Sequence, residues 1–354
     1  MTSTADGGIV SIPSSTSCSS GVPAGGAPAD ISKPTTVVGT GTAASCTFAA
    51  LNTAVTTGGV VTFDCGSAPV TIAVTATMNL PTGKNTVIDG GKLITLDGGH
   101  AVQILSFNHN NYRVNTTLVT IQHIAFVNAK TNPTDLIPTR PAPCSQGYDD
   151  GEGGAIYMLD GNLTVIDSTF MNDEAAQLGP DTGGGAIYIN GSLNGALIVG
   201  CTFTGNTASN GGAVGALNAP LNVYDSYFAH NTATGSGAND NDPSTCSFMN
   251  NGQNEVGSGG NGGALYLDGA SVSVFVCGVE DIDNAAGTGA FGGGLFFTSD
   301  DMKGTLTIQN STITGNTGGH WTSVGSGSVT NAGTAVGTNA ESITLVDSTV
   351  QGVN

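Results

Sequence analysis

Gly153-Gly154-Ala155-Ile156-Tyr157, followed by Leu163-Thr164-Val165-Ile166-Asp167-Ser168-Thr169-Phe170, is a unit that this chain writes repeatedly. Its opening recurs as Gly184-Gly185-Ala186-Ile187-Tyr188, Gly211-Gly212-Ala213-Val214, Gly262-Gly263-Ala264-Leu265-Tyr266 and Gly292-Gly293-Gly294-Leu295-Phe296. Its second half recurs as LIVGCTF (197–203), LNVYDSYF (221–228) and LTIQNSTI (306–313). Three residues beyond Phe170, Phe203, Phe228 and Ile313 stand Asp173, Asn206, Asn231 and Asn316 in one register. A unit of roughly 25–30 residues with two or three short strands cannot bury its apolar side alone, so neighbouring units must coil and stack. The pattern predicts a parallel β-solenoid with a continuous interior column of Val, Ile, Leu and Phe. Asparagines at one turn would bond from coil to coil, and glycine pairs would permit tight bends.

Outward from these repeats, the same alternation begins near Val60 and continues through VTIAVTATMNL, NTVIDGG and LITLDGG. Before it, CTFAALNTAV (46–55) has helical spacing at Phe48, Leu51 and Val55, and predicts a short capping helix. Residues 1–45 are rich in Ser, Thr, Gly, Ala and Pro without periodicity and read as an extended arm or cap. The expected organisation is therefore an arm (1–45) and one solenoid domain (46–354), with long loops at 128–152, 232–261 and 317–342. All three loops leave after the ladder position, so they are expected to emerge on one flank and wall a groove.

The 354 residues include 55 Gly, and 7 Lys+Arg against 26 Asp+Glu give a net charge of −19. So few cations leave no basic patch for phosphates, and the expectation is no nucleic-acid partner and no membrane insertion. Seven dispersed cysteines, without CxxC or Cys/His zinc spacing, point to disulfides and hence to a secreted or cell-surface protein. Cys46 and Cys65 bracket one short segment and are expected to pair; Cys246 with Cys277 is the second expected pair. The chain opens Met-Thr-Ser-Thr with no apolar run, so the expectation is that a leader peptide has been removed and Met1 supplied afterwards.

With these repeats, the chain resembles the right-handed parallel β-helix proteins of the pectate-lyase-like group. More narrowly it is similar to secreted bacterial proteins with GGAI and FxxN repeats, including the polymorphic outer-membrane type and anchored surface proteins. CTFAALNTAVTTGGVVTFDCG (46–66) and TVIDGG (86–91) are similar to the capping helix and first coils of that group. The resemblance spans roughly residues 46–354 and implies an all-β, single-stranded right-handed parallel β-helix with a short N-terminal capping helix. It implies little about activity, since that group holds lyases, hydrolases, epimerases and adhesins.

Chemistry in a solenoid sits on inserted loops. The first long loop ends in Tyr148-Asp149-Asp150-Gly151-Glu152, and the next coil adds Asp173-Glu174, with Asp173 replacing a ladder asparagine. Val279-Glu280-Asp281-Ile282-Asp283-Asn284 places Asp281 and Asp283 on one outer face, about 6.5–7 Å apart, if Ile282 points inward. Carboxylates about 6.5–9.5 Å apart suit an inverting glycosidase, and about 5 Å a retaining one. Asp149, Asp150, Asp173, Glu174, Asp281 and Asp283 are the candidate acids and bases, and Tyr148, Arg140, His320 and Trp321 the candidate glycan contacts. Asp149, Asp150, Glu152, Asp240 and Asp242 offer hard oxygens to Ca²⁺, the one candidate cofactor, although none is required for hydrolysis. Cations are too scarce to favour a uronate site, so the expected partner is an extracellular polysaccharide that is neutral or weakly charged, cleaved by a monomeric carboxylate-dependent hydrolase. The alternatives are a Ca²⁺-dependent lyase, a non-catalytic adhesin or glycan-binding module, and an ice-binding solenoid built on Thr rows such as TLTIQNSTIT (305–314).

Overall fold

A computed structural model describes residues 12–136, 146–237, 257–318, 335–338 and 340–351. The repeats form the coils of a parallel β-helix, since every pairing between named strands is parallel and joins one coil to the next. Each repeat lays down three strands. Asn162–Ile166, Thr169–Met171 and Ile187–Asn190 are one such set, and Ala196–Val199, Thr202–Thr204 and Val214–Leu217 stack on them residue for residue. The first two strand rows belong to one 17-stranded sheet and the third forms an 8-stranded sheet.

The corners explain the sequence motifs. Between the first and second strands, His123, Asp167, Gly200, Asp225, Gly278 and Asn310 all have φ between 43° and 67°. That left-handed conformation suits Gly, and Asn or Asp tolerate it better than branched residues. The serine that follows locks the bend: Ser226 Oγ donates to the Tyr224 carbonyl (2.7 Å) and accepts from the Cys201 N–H of the preceding coil (3.0 Å). The second strand closes on a matching corner at Asn172, Gly205, His230, Asp283 and Gly315. His230 is thus a turn residue, as its place beside Asn231 suggests.

Inside, Phe126, Phe170, Phe203 and Phe228 stack with ring centroids 4.7–5.0 Å apart and planes within 4°. Such pairs are worth about 0.5–1.5 kcal/mol each beyond their buried area. Beside this column runs the amide ladder. Asn206 donates its N–H and Nδ2 to Asn231 Oδ1 (3.0 and 2.9 Å), Asn231 does the same to Asn284 (2.8 and 2.9 Å), and Asn284 to Asn316 (2.7 and 3.2 Å). Asn284 is therefore a rung, which the spacing from Phe170, Phe203 and Phe228 does not reveal because Asp281 stands where those rings stand.

Helix α1 (Phe48–Thr57) caps the N-terminal end with Leu51, Ala54 and Val55 buried, and ends at Gly58, whose φ of 66° stops it. The coil pattern starts earlier than residue 46, because Thr36–Val38 pairs with 61–63. The arm before it is held against the outside of the sheet. Cys18 is disulfide-bonded to Cys277, Ala29 N–H donates to Gln122 Oε1 (2.8 Å), and Thr35 N–H donates to the Val60 carbonyl (2.7 Å). Cys46 pairs with Cys65 as expected. The expected Cys246–Cys277 bond does not form, since Cys18 holds Cys277, and Cys246 lies outside the described residues. Across the opposite edge, Arg113 donates to the carbonyls of Asn218 and Ala270 (3.0 Å each), tying the 109–117 loop over later coils. Among the described residues no helix is long and apolar enough to cross a membrane.

Asn231→Ala should remove donors and an acceptor from both neighbouring rungs and take from the Phe203 carbonyl the side-chain donor that Asn231 supplies. A loss of about 2–3 kcal/mol is expected in urea denaturation, with the m-value unchanged.

Candidate functional site

The described parts of the first two long loops meet on one flank. Gln146 N–H donates to the Gly257 carbonyl (3.0 Å), Tyr148 N–H to that of Leu178 (2.9 Å), and Gly179 N–H to that of Ser258 (3.1 Å). Tyr148 lies half-buried there, paired across to Leu136. Arg140, Asp240, Asp242, His320 and Trp321 lie outside the described residues, as does most of the two later loops.

The predicted carboxylates do not assemble into an acid and base pair. Asp281 and Asp283 do not share an outer face: Asp281 is in register with Phe228 and Ile313 and points into the core, only 1% exposed. Ile282 is half-exposed instead, and Asp283 occupies the left-handed corner, where its side chain faces solvent. Asp173 and Glu174 diverge likewise. Asp173 is fully buried at the head of the ladder, where its Oδ1 accepts the Ala129 N–H (2.8 Å). Glu174 turns outward to Lys130 Nζ (2.7 Å) and His100 Nδ1 (3.0 Å). Burial pushes the Glu174 carboxyl up, but the bonds and charges of Lys130 and His100 outweigh it and hold it below its ordinary range.

In the acidic loop, Asp150 is committed to structure. Its oxygens accept the N–H groups of Thr134 and Asp135 and the Thr134 hydroxyl, all within 3.0 Å. Asp149 is exposed. Glu152 is half-buried, and burial, with the charges of Asp150 and Asp149 added, pushes its carboxyl up to about 7. It is therefore a carboxyl of this flank that can hold a proton near neutrality. Asp149, Asp150 and Glu152 do not make a Ca²⁺ cage, and no set of three His, Cys, Asp or Glu side chains among the described residues is placed to hold a metal ion.

A different concavity lies on the outer face of the first strand row, and the sequence did not indicate it. A groove of about 620 Å³ runs between the arm, at Pro23 and Gly25, and the strand starts. Its floor and far wall are Asn85, Thr116, Leu118, Asn162, Leu163, Thr164, Asn194, Gly195, Leu197, Asn222 and Tyr224, with no charged residue among them. Asn85 and Asn162 shape it: Asn85 Oδ1 accepts the Leu118 N–H (2.9 Å), and Asn162 Oδ1 accepts from Ser192 Oγ (3.0 Å) and Asn194 N–H (2.9 Å). The side-chain amides of Asn194 and Asn222 and the Tyr224 hydroxyl make no hydrogen bond among the described residues, and each is at least partly exposed. Phe275 backs Tyr224 at 5.3 Å between centroids. The signal available in the sequence was the outward register of Asn222 and Tyr224 in LNVYDSYF; what concealed the groove was the path of the arm. The same outward row continues as Phe275, Thr307 and Thr344, so the uniform Thr array of an ice-binding face does not form there.

The chain is thus a single-stranded parallel β-helix with a loop-bearing flank on one side and an arm-walled groove on another. No protein-family model matches it, and no curated protein matches it. Among solved structures it is similar to PfbA, a surface adhesin of Streptococcus pneumoniae, at 12% identity and a TM-score of 0.36, over 86% of this chain and 78% of that one. A likeness that slight carries none of the functional argument, which rests on the geometry.

Glu174→Gln should cost less than about 1 kcal/mol in urea denaturation at neutral pH, because the pair is partly solvated. A carboxyl held below its unfolded value adds stability above that value and loses it as pH falls through the folded one. The difference between variant and parent should therefore shrink below about pH 4.

Proposed function

We propose that this protein is an extracellular, non-catalytic surface module that holds a neutral glycan in the arm-walled groove. The observation that carries the reading is the groove's lining: a chain of net charge −19 presents there only amides, hydroxyls, apolar side chains and one tyrosine. Sugar hydroxyls need donors and acceptors at low charge, and an aromatic face covers the apolar side of a pyranose. Asn194 and Asn222 each offer two donors and an acceptor, and Tyr224 offers both a ring and a hydroxyl. The lining reaches across five successive coils, from Asn85 to Tyr224, and four steps of about 4.8 Å give a length of about 19 Å, enough for a short oligosaccharide. Anionic glycans would meet the repulsion of the surrounding protein without a cation in the groove to offset it. The two closed disulfides support an oxidising, extracellular setting.

One observation favours a second reading. Glu152, with its proton retained to about pH 7, has the property of a general acid, and a hydrolase working from the loop flank would use it.

Glycan-array screening followed by calorimetry separates the two. Under the first reading, neutral oligosaccharides are retained without new reducing ends or unsaturated uronates, and Asn222→Ala and Tyr224→Ala each weaken binding about tenfold, the equivalent of about 1.4 kcal/mol. Asp149→Asn should bind as the parent does. Retention indifferent to both groove substitutions would remove the groove from consideration, and turnover abolished by Glu152→Gln would establish the hydrolase instead.

A further inference from the structure

We infer that the folded solenoid carries protons in its interior on Asp173 and on Asp281, and that it is consequently a fold adapted to acidic surroundings, losing stability as they turn neutral. The geometry at the two sites is independent and points the same way.

Asp173 heads the amide ladder. In the later rungs the atom corresponding to its Oδ2 is a donor: Asn206 Nδ2 bonds to the Phe170 carbonyl (3.2 Å), Asn231 Nδ2 to that of Phe203 (3.0 Å), and Asn284 Nδ2 to that of Phe228 (3.1 Å). The corresponding acceptor for Asp173 is the Phe126 carbonyl, since Phe126 and Phe170 are in register. Asp173 Oδ2 is buried and makes no hydrogen bond. A protonated carboxyl presents an O–H where asparagine presents an N–H, whereas a carboxylate would set lone pairs against a carbonyl oxygen. The charged groups that face it, Asp97 and Glu174, are both acidic, and the cations nearest Glu174 are already paired with it.

Asp281 takes the slot of a phenyl ring in the core column. Its Oδ1 accepts Asn284 Nδ2 (2.8 Å), and its Oδ2 is buried without a partner. The amides of Asn284 and Asn316 are the polar groups that face it, and neither is charged. The replacement is matched across the coil. Gly294 stands where the other repeats carry Ala155, Ala186, Ala213 and Ala264, and a Cβ at Gly294 would approach both Asp281 oxygens within 2.9 Å. The chain thus makes room for a carboxyl group at this place without supplying a cation to neutralise it.

An ionised carboxylate in such surroundings is far costlier than a neutral one. Burial accordingly pushes Asp281 up to about 7 and Asp173 well above its ordinary value. Unfolded, both titrate near pH 4. Between there and about pH 7 the folded state binds more protons than the unfolded one, so the folding constant falls as pH rises, by up to tenfold per pH unit for each group. Below that window the two contributions are complete, and the depressed carboxyls of Asp160, Glu174 and Asp301 set the acid limit instead.

Urea denaturation of the full chain between about pH 4.5 and about pH 7 tests this. The parent should lose stability across the window. Asp173→Asn and Asp281→Asn should each flatten the slope by up to one proton, and the double variant by up to two, whereas the exposed Asp149→Asn should leave it unchanged. If Asp281→Asn does not fold, Asp281→Phe, which restores the ring column beside the small Gly294, serves in its place. Carboxyl ¹³C resonances of aspartate-labelled parent protein give a readout that needs no variant to fold. At about pH 6 two resonances should sit at the protonated position in addition to that of Asp268, whose carboxyl is also pushed up, by burial and by the charges of Asp300 and Asp181. A double variant with the parent's pH slope, or a parent whose aspartates are all ionised at that pH, overturns the inference.

Discussion

In-register stacking of each coil on the one before, through parallel backbone hydrogen bonds, is the constraint from which the remaining features follow. It makes a residue's neighbours the residues at the same position of adjacent repeats. A phenylalanine at that position therefore meets other phenylalanines 4.7–5.0 Å away, and an asparagine meets an asparagine whose Oδ1 accepts both its N–H and its Nδ2. The same rule is unforgiving of exceptions. Any residue unlike its column must find a compensation within its own coil, as Asp281 does in Gly294 and Asn284.

The repeats were legible because each corner demands a particular backbone. Gly200, Asp225 and Gly278 occupy one corner, Gly205, His230 and Asp283 the other, and in both φ is positive. Repeating Gly, Asn and Asp at fixed distances from an apolar residue thus records the coil directly, and a local loop was enough to give Cys46–Cys65. The faces of single strands were harder to read near those corners. Counting outward from Ile282 as a core residue inverts Asp281 and Ile282 and leaves only Asp283 outside, because the apolar side chain of this short strand lies on the outer face and the left-handed turn at Asp283 ends the alternation on which such counting relies. The missing phenylalanine at the same place hid the rung at Asn284. Cys18–Cys277 was beyond reach for a different reason: it joins residues 259 positions apart, and the arm has no periodicity to say where it lies.

Charge is distributed by the same logic. Corners project side chains into water, so Asp167, Asp225, Asp283 and Asp347 can all be acidic there at little cost. Strand positions on the outer face are flanked by equivalent positions one coil step away, where like charges would repel at close range. An outer row of Thr164, Leu197, Asn222 and Phe275 is compatible with that restriction, and it leaves an uncharged strip on a strongly acidic molecule. Among the candidate acids of the sequence, Asp173 fell in the ladder, Asp281 in the core column and Asp283 at a corner, which are positions set by stacking.

The groove depends on a segment that is also structural. Strand edges here face other coils, so the arm is not needed to complete a sheet; it crosses the outer face of one. It is fixed near its start by Cys18–Cys277 and near its end by the Thr35 bond to Val60 and the pairing of Thr36–Val38. Between these anchors it descends over successive coils, close enough at Gly26 that a Cβ there would strike Val199. Glycine and proline in GVPAGGAP (21–28) therefore do two things: they let the backbone lie on a surface too close for side chains, and they bring Pro23 and Gly25 in as a wall without adding charge. A flat solenoid face would hold a neutral oligosaccharide from one side only. A wall stapled across the coils turns that face into a concavity, and ties the site to the oxidation of a bond that fixes the wall in place.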